Sequence, residues 1–313
     1  MRFINEIREG EQVVEHYLCK SKQTLKSRSG KNYYSLKLQD KTGIVDAKVW
    51  DLNNEIKSFE ENDFIKIDAQ AITFNNEIQL NVRRIRKSNE GEYDPADYIP
   101  KTDKNIDEMY KELMGYIDTV ENKYIKALLQ EIFINNKTVA ANIKTHSAAK
   151  TMHHGYMGGL LEHTLSVTQI CDFMSGRYKK VNRDILIASA MLHDIGKIFE
   201  LSQFPTNEYT DNGQLLGHII IGCEMIGKAA DKIDGFPPQL ESLMKHCMLA
   251  HHGEYEYGSP ELPKTIEAFI LHCADNMDAK VKAMEEIISS DNTSGNWVGY
   301  SKMLLRNIRK TEF

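Results

Sequence analysis

Histidine and aspartate residues that could bind metal ions are concentrated in the second half of the chain. Ten of the eleven histidines lie between His146 and His272. Several stand in segments of small and apolar residues, where an unpaired imidazole is costly to bury. These segments are GGLLEHTLSV with His163, ASAMLHDIGKIF with His193 and Asp194, LLGHIIIG with His218, CMLAHHGEYEYGSP with His251 and His252, and AFILHCADNMDAK with His272 and Asp275.

The pattern predicts a metal centre inside a helical bundle. Helices can project such groups inward from separate turns onto a shared core. Adjacent His193 and Asp194 are informative, because neighbouring helical side chains point about 100° apart and a shared ion would draw both inward. Mixed nitrogen and oxygen ligands favour manganese, iron or zinc over calcium. With Asp194 bridging, the set is large enough for two ions.

Two ions of this kind suit phosphodiester hydrolysis, because they activate a water and neutralise the attacking and leaving oxygens. Lys197 follows Asp194 by three residues, on the same predicted helical face, and could bind a phosphate oxygen. A single histidine is more often a packed or surface residue than a ligand, so the prediction depends on the five segments together. Four histidines stay open: His153, His154, His246 and His272.

The elements that must position these residues divide the chain into two domains. Residues 12–88 alternate as short strands broken by turn segments, which predicts a small five-stranded barrel in an N-terminal domain of residues 1–88. Residues 89–105 are polar, contain Pro95 and Pro100, and are predicted to be a linker. From Ile106 apolar residues recur at helical spacing, which predicts an all-helical domain over 106–313 with its metal core in 150–280.

Composition excludes several classes of protein. The 313 residues are 41% hydrophobic and 27% charged, as in ordinary soluble proteins. No secretory signal or apolar run long enough for a bilayer is visible, so we expect a cytoplasmic protein without a membrane partner. Residues 1–88 carry 16 basic and 13 acidic residues, or +3, and the remainder of the net −6 is −9. The five cysteines form no CxxC pair and are expected to be reduced.

In this order, the motifs resemble the HD superfamily of metal-dependent phosphohydrolases, and over nearly the whole chain they resemble the YhaM-type 3′-to-5′ exoribonucleases. The resemblance implies an N-terminal OB-fold barrel and an all-α HD domain. It also implies manganese dependence and nucleoside 5′-monophosphate products, whereas the donor atoms by themselves leave iron and zinc open. It places His163, His193, Asp194 and Asp275 on the HD motif, His218 and His251 on the extra positions of two-metal members, His252 as an additional candidate, and Lys197 on the lysine after the HD pair.

An OB fold in front predicts a surface for single-stranded RNA or DNA. Strand alternation turns Tyr33, Lys48 and Trp50 outward, and Trp50 beside a lysine could stack a base. The predicted loop from Lys20 to Lys31 is rich in lysine and includes Arg28. Trp50 could instead only cover the barrel end, and the lysines could be merely solvated.

Two other functions remain open from the sequence. The same metal core serves phosphohydrolases of small or cyclic nucleotides. Such small substrates, however, would leave the barrel without a strand to bind. A nucleic-acid-binding protein with a purely structural HD domain is the third interpretation. The sequence gives no indication of oligomeric state.

Overall fold

A computed structural model describes residues 2–75, 77–150, 155–291 and 295–311. The chain divides into two compact units, each of which is described by itself. The first holds Met1–Lys101 and Phe204–Thr206, and the second holds Thr102–Gln203 and Asn207–Phe313.

Five strands of the first unit form a closed barrel, which confirms the predicted fold. They follow the order β1-β2-β3-β5-β4, in which β3 and β5 pair in parallel and the other neighbours are antiparallel. Closure leaves no unpaired sheet edge. The strands are β1 Gln12–Lys26, β2 Asn32–Asp40, β3 Gly43–Val49, β4 Phe64–Phe74 and β5 Glu77–Lys87.

Side-chain alternation decides which face of β2 and β3 enters the barrel. Leu36 and Leu38 of β2, and Val45, Ala47 and Val49 of β3, are all buried in its core. Each of the buried leucine and valine side chains contributes on the order of 1.5–3 kcal/mol. The residues between them therefore face outward.

The first part of the segment predicted as a linker packs on the barrel. Tyr93 lies 4.2 Å from Phe64, ring centroid to ring centroid, and Tyr98 is only 2% exposed. The backbone carbonyl of Tyr98 accepts a hydrogen bond from Gln39 Nε2 at 3.0 Å. These contacts explain why the first unit extends to Lys101.

The second unit is built on helices, as predicted, around one large apolar core. Its helices begin with side-chain caps where the sequence supplies them; Asn105, for example, accepts from the backbone N–H groups of Asp107 and Glu108. The helices are α1 Ile106–Thr119, α2 Lys123–Gln130, α3 Lys137–Asn142, α4 Gly159–Arg177, α5 Arg183–Leu192, α6 Lys197–Glu200, α7 Asp211–Ala230, α8 Pro238–Ala250 and α9 Ile266–Ser290.

A two-stranded antiparallel sheet follows α9, where the sequence predicted only helix and a surface segment. Its strands are β6 Trp297–Ser301 and β7 Arg306–Arg309. Ile308 and Leu304 are each 5% exposed, so this hairpin is packed onto the domain. The pairing shifts between Trp297 and Gly299, so the apolar residues of β6 do not follow a strict two-residue alternation, which is why periodicity gave no strand signal.

None of the helices in the described residues combines the length and the apolar character needed to cross a membrane.

Candidate metal centre and nucleic-acid surface

Two histidines of the centre lie just beyond the ends of helices. His193 follows α5 directly, and His251 follows α8. Their Nδ1 atoms lie 2.8 Å from the carbonyl oxygen of Ala190 and 2.7 Å from that of Met248, three residues earlier in each case. The last carbonyls of a helix lack intrahelical partners and accept these bonds. Each Nδ1 is thereby the proton donor, and each Nε2 keeps its lone pair for a metal.

Asp194 lies in the turn after α5, whereas the sequence interpretation placed it with His193 on a helix. That interpretation was wrong in its local structure. His193 keeps helical backbone angles (φ −52°, ψ −36°), and the chain continues through Asp194 as a turn. His193 Nε2 lies 3.5 Å from Asp194 Oδ2.

His163 of α4 is held by two carboxylates of α9. Its Nδ1 lies 2.7 Å from Asp278 Oδ2, and its Nε2 lies 3.1 Å from Asp275 Oδ1. Ser166 also donates a hydrogen bond to Asp278. Asp278 therefore orients the His163 ring. It was missed from the sequence, although its three-residue spacing from Asp275 puts both on one helical face.

His218 owes its position to a break in α7. Gly217 has φ 71° and ψ 160°, a conformation that is accessible mainly to glycine, and it interrupts the helix one residue earlier. Glu200 Oε1 accepts a hydrogen bond from the freed backbone N–H of His218 at 2.9 Å and lies 3.0 Å from its Nδ1. Glu200 was also missed, because no spacing in the sequence connects it with His218.

A second glycine lets the turn after Asp194 approach α7 closely. A Cβ built on Gly196 would lie 2.0 Å from the His218 carbonyl oxygen and 2.9 Å from the Gly222 nitrogen. Any larger residue would push these segments apart. The sequence GK after the HD pair thus has a steric reason as well as a chemical one.

Asp194 lies between two groups of imidazole nitrogens. Its Oδ2 is 3.5 Å from His163 Nε2 as well as from that of His193. Its Oδ1 is 3.6 Å from His218 Nε2 and 3.9 Å from His251 Nε2. The structure therefore brings together all six residues predicted as ligands, with His252 beside the second group: His163, His193, Asp194, His218, His251 and Asp275.

The donor set fits divalent metal ions. His218 Nε2 and His251 Nε2 are buried and have no hydrogen-bond partner among the described residues. Leaving a buried polar atom unsatisfied costs about 1–3 kcal/mol, so these two atoms need a partner that the described side chains do not supply, and a metal ion would be one. Nitrogen and carboxylate donors on both sides of Asp194 are those that manganese, iron and zinc accept.

The electrostatics hold the ligands in the protonation states that metal binding needs. Burial would raise the pKa of Asp194, but Lys197 and His193 outweigh it and hold that pKa well below its ordinary value. Burial likewise opposes ionisation of Asp275, whose pKa is lowered by the hydrogen bond from His163 and by the neighbouring histidines. Burial, with nearby His252, lowers the pKa of His251 well below 6.5 and keeps it neutral.

His163 differs from the other proposed ligands because its pKa is raised, so metal binding should depend on pH. Burial lowers its pKa, but hydrogen bonds with Asp275 and Asp278 overcome this and raise it to about 10. In the metal-free protein this proton stabilises the fold below pH 6.5, the ordinary value, and the contribution is lost as the pH rises toward 10. A metal must displace the proton, so we expect Mn²⁺ affinity to rise by up to about tenfold per pH unit below that pKa.

Proton release measures this displacement directly. Adding Mn²⁺ to unbuffered protein at pH 8 should release about one proton per protein molecule, which is the proton that His163 carries before metal binds. A matched titration of Asp231→Asn, which removes an exposed carboxylate from the same domain, should release as much as the wild type. A metal affinity independent of pH, without proton release, would contradict the assignment of His163 as a ligand.

A cavity of about 430 Å³ opens onto the centre. Lys197 lines it, and its ammonium lies 2.7 Å from Asp194 Oδ2, so the predicted proximity of these two side chains is present. Tyr257 and Asn276 line the remainder with other residues. The cavity thus combines a fixed cation with the carboxylate and imidazole groups.

The histidines left open by the sequence divide between the centre and its surroundings. His252 joins the second metal group, with its Nδ1 3.0 Å from the Tyr257 carbonyl oxygen. His272 lines the cavity. His246 Nε2 accepts a hydrogen bond from the Lys264 N–H at 2.9 Å and lies in neither group. Two candidates lie outside the described residues: His153 and His154.

The barrel surface predicted for nucleic acid carries a stacked aromatic pair. The rings of Tyr33 and Trp50 lie 4.6 Å apart at 28°, and Trp50 remains 50% exposed. Trp50 donates a hydrogen bond to Asn81 Oδ1 at 3.0 Å, and Lys48 donates one to Ser35 Oγ at 2.6 Å. The Trp50 ring is therefore fixed in orientation, is stacked on Tyr33 and remains half exposed to solvent.

The lysine-rich loop of the barrel is shorter than predicted. β1 continues to Lys26, so Lys20 and Lys22 belong to a strand. Lys22 donates to the Phe59 carbonyl and covers its ring, which removes it from phosphate binding. Arg28 and Lys31 do lie exposed at the β1–β2 turn, as expected.

Comparison with known proteins assigns both domains. Residues 160–280 match the HD domain, and residues 19–87 match the OB-fold nucleic acid binding domain. The chain therefore joins an OB fold to an HD domain, the domain of metal-dependent phosphohydrolases, and this combination fits a hydrolase of nucleic acids.

Solved structures of replication proteins are similar to a part of this chain. The second OB-fold domain of replication protein A from Methanococcus maripaludis is 14% identical, with 29% of this chain and 98% of that chain covered and a TM-score of 0.24. The replication factor A related protein from Methanobacterium thermoautotrophicum is 23% identical, with 30% and 94% covered and a TM-score of 0.24.

Proposed function

We propose that this protein is a metal-dependent 3′-to-5′ exonuclease that hydrolyses phosphodiester bonds of single-stranded RNA, and also accepts single-stranded DNA, and releases nucleoside 5′-monophosphates. The observation that carries the proposal is the position of Asp194 between two groups of imidazole nitrogens. Manganese is the ion proposed, and the cytoplasm the compartment.

Each side chain has a defined role in this proposal. The first ion would be held by His163, His193, Asp194 and Asp275, and the second by Asp194 with the histidines of the other group, His218, His251 and His252. When bound, the ions supply a water of lowered pKa and neutralise charge on the phosphate oxygens. Lys197 binds a non-bridging phosphate oxygen as a point charge. Asp278 and Glu200 fix the two rings whose Nδ1 atoms they contact.

The cavity supports removal of one terminal nucleotide at a time. Its volume of about 430 Å³ is within the range of small-molecule pockets, roughly 300–1,000 Å³. A duplex does not fit such a pocket, so the substrate must present a single strand there. The OB domain binds that strand through Trp50 and Tyr33, with Arg28 and Lys31 on the phosphates.

A substrate panel with Trp50→Ala tests this division of labour. We expect the variant to bind a long single-stranded RNA about tenfold more weakly, because one base loses its stacking partner. A dinucleotide offers the barrel little to stack, so the variant should cleave it as the wild type does. The control is Phe74→Ala, which removes another exposed aromatic of the barrel, 57% exposed.

Two outcomes would contradict the proposal. Equal losses on the long RNA and on the dinucleotide would remove Trp50 as a stacking platform. Faster turnover of a cyclic dinucleotide than of the long RNA by the wild type would favour the small-nucleotide phosphohydrolase instead.

A further inference from the structure

The C-terminal hairpin of β6 and β7 has a composition unlike the acidic domain that carries it. Residues 295–311 contain four basic residues and no acidic one. The chain from residue 89 onward has a net charge of −9, from 23 basic and 32 acidic residues. The basic residues of the hairpin are Lys302, Arg306, Arg309 and Lys310.

A β-bulge places the two aromatic residues of β6 on the same face. Trp297 and Tyr300 are three apart and would point to opposite sides of a regular strand. The pairing shifts between Trp297 and Gly299, which inserts one residue and returns Trp297 to the side of Tyr300. Both aromatic residues are 61% exposed. Arg309 is the direct cross-strand partner of Trp297 and shares this face.

The opposite face anchors the hairpin. Ile308, the partner of Gly299, is buried, and Leu304 in the turn is buried as well. Lys310 forms an ion pair of 2.7 Å with Asp291, beside the end of α9. The aromatic face is therefore presented outward by an element fixed to the domain.

The remaining cations of the hairpin are available to a ligand. Among the residues that the structure describes, Lys302, Arg306 and Arg309 form no ion pair. Arg306 donates to the carbonyl of Leu304, and Arg309 to that of Lys310. By contrast, other lysines of this domain commonly pair with a glutamate three or four residues earlier: Lys228 with Glu224, Lys245 with Glu241, and Lys264 with Glu261.

We propose that the Trp297–Tyr300–Arg309 face binds single-stranded nucleic acid, with bases on the two rings and phosphates on the cations. Exposed aromatic rings beside unpaired cations are the features that bind single strands without sequence preference. A second copy of the chain is disfavoured as the occupant of this face, because a two-fold symmetric interface would bring the cations of one copy close to the same cations of the other. The inference rests on the proposed function only in taking that strand to be the substrate.

Tryptophan fluorescence tests the contact directly, because the chain has two tryptophans, Trp50 and Trp297. In the 313-residue chain carrying Asp194→Asn and Trp50→Phe, with chelator present, Trp297 is the only tryptophan left to report binding. Titration with oligouridylate, followed in parallel by anisotropy of a labelled copy, should quench Trp297 as binding saturates. The double variant Trp297→Ala/Tyr300→Ala should bind about tenfold or more weakly.

Matched variants separate stacking from charge. Phe173→Ala removes an aromatic that is 77% exposed on α4 and should leave binding unchanged. The plot of log affinity against log salt concentration has a negative slope. Arg309→Ala should make this slope less steep by about 0.7, the contribution of one phosphate contact on a single strand. Lys179→Ala, an exposed lysine between α4 and α5, should leave that slope unchanged.

Two results would overturn the proposal. One is unchanged Trp297 emission at an oligonucleotide concentration where anisotropy is saturated. The other is emission that shifts with protein concentration before any oligonucleotide is added, which would mean that a second copy covers the face. Since binding is measured without metal, loss of the proposed hydrolysis would leave this test interpretable.

Discussion

Replacing Asp194 by Asn should reduce hydrolysis by at least about 10²-fold, because removal of one preorganised electrostatic group costs about 10²–10³-fold in other enzymes. Asp194 is the side chain that faces both imidazole groups, with separate oxygens 3.5 Å and 3.6 Å from the nearest nitrogen of each. An amide has the same shape, but it carries no charge and offers an oxygen on one side only. Both metal positions are therefore weakened by a single substitution.

The same variant should still bind single-stranded RNA, because no nucleic-acid contact is assigned to Asp194. Turnover of labelled RNA with Mn²⁺ and anisotropy without metal measure the two properties separately. Asp231→Asn is the matched control, since it removes one exposed carboxylate from the same domain. The thermal unfolding of both variants should also be measured, because Lys197 loses its buried partner in Asp194→Asn. Substantial hydrolysis by a folded Asp194→Asn protein would contradict the bridging role.

Replacing Asp278 by Asn should weaken metal binding and activity about 10–100-fold, the usual effect of losing a carboxylate that orients a metal-binding histidine. Asp278 lies 2.7 Å from His163 Nδ1 and also accepts from Ser166. Without its charge the ring is less firmly oriented and its Nε2 is a weaker ligand. Isothermal titration with Mn²⁺ gives the affinity, and turnover at increasing Mn²⁺ gives the activity.

Rescue by metal distinguishes an orienting residue from a ligand shared by two ions. High Mn²⁺ should restore much of the activity of Asp278→Asn and little of that of Asp194→Asn. Glu285→Gln on the same helix, whose side chain is 65% exposed, is the control and should titrate like the wild type. Unchanged Mn²⁺ affinity in Asp278→Asn would show that the His163 ring does not depend on this carboxylate.

The sequence was most informative where local chemistry determines structure. Alternation along β2 and β3 indicated which residues fill the barrel, because a strand with one buried face leaves little choice of register. Histidines in apolar segments indicated the residues that now surround Asp194, because a buried imidazole needs a partner. Both patterns occupy only a few neighbouring residues.

Features that depend on distant segments were not predictable in this way. Glu200 contacts His218 only because Gly217 breaks α7, and nothing near Glu200 indicates this partner. Asp278 contacts His163, 115 positions away in the chain. The C-terminal hairpin was missed because its bulge places Trp297 and Tyr300 on one face at a spacing that strand alternation excludes. In each case tertiary packing overrides the local pattern.

The central claim is that the two imidazole groups around Asp194 form a centre that shortens single-stranded RNA from its 3′ end. The most direct test is a time course on a 5′-labelled single-stranded RNA with Mn²⁺, for the wild type beside Asp194→Asn. We predict a ladder that shortens from the 3′ end in the wild type alone. No shortening by the wild type, or equal shortening by both proteins, would contradict the claim.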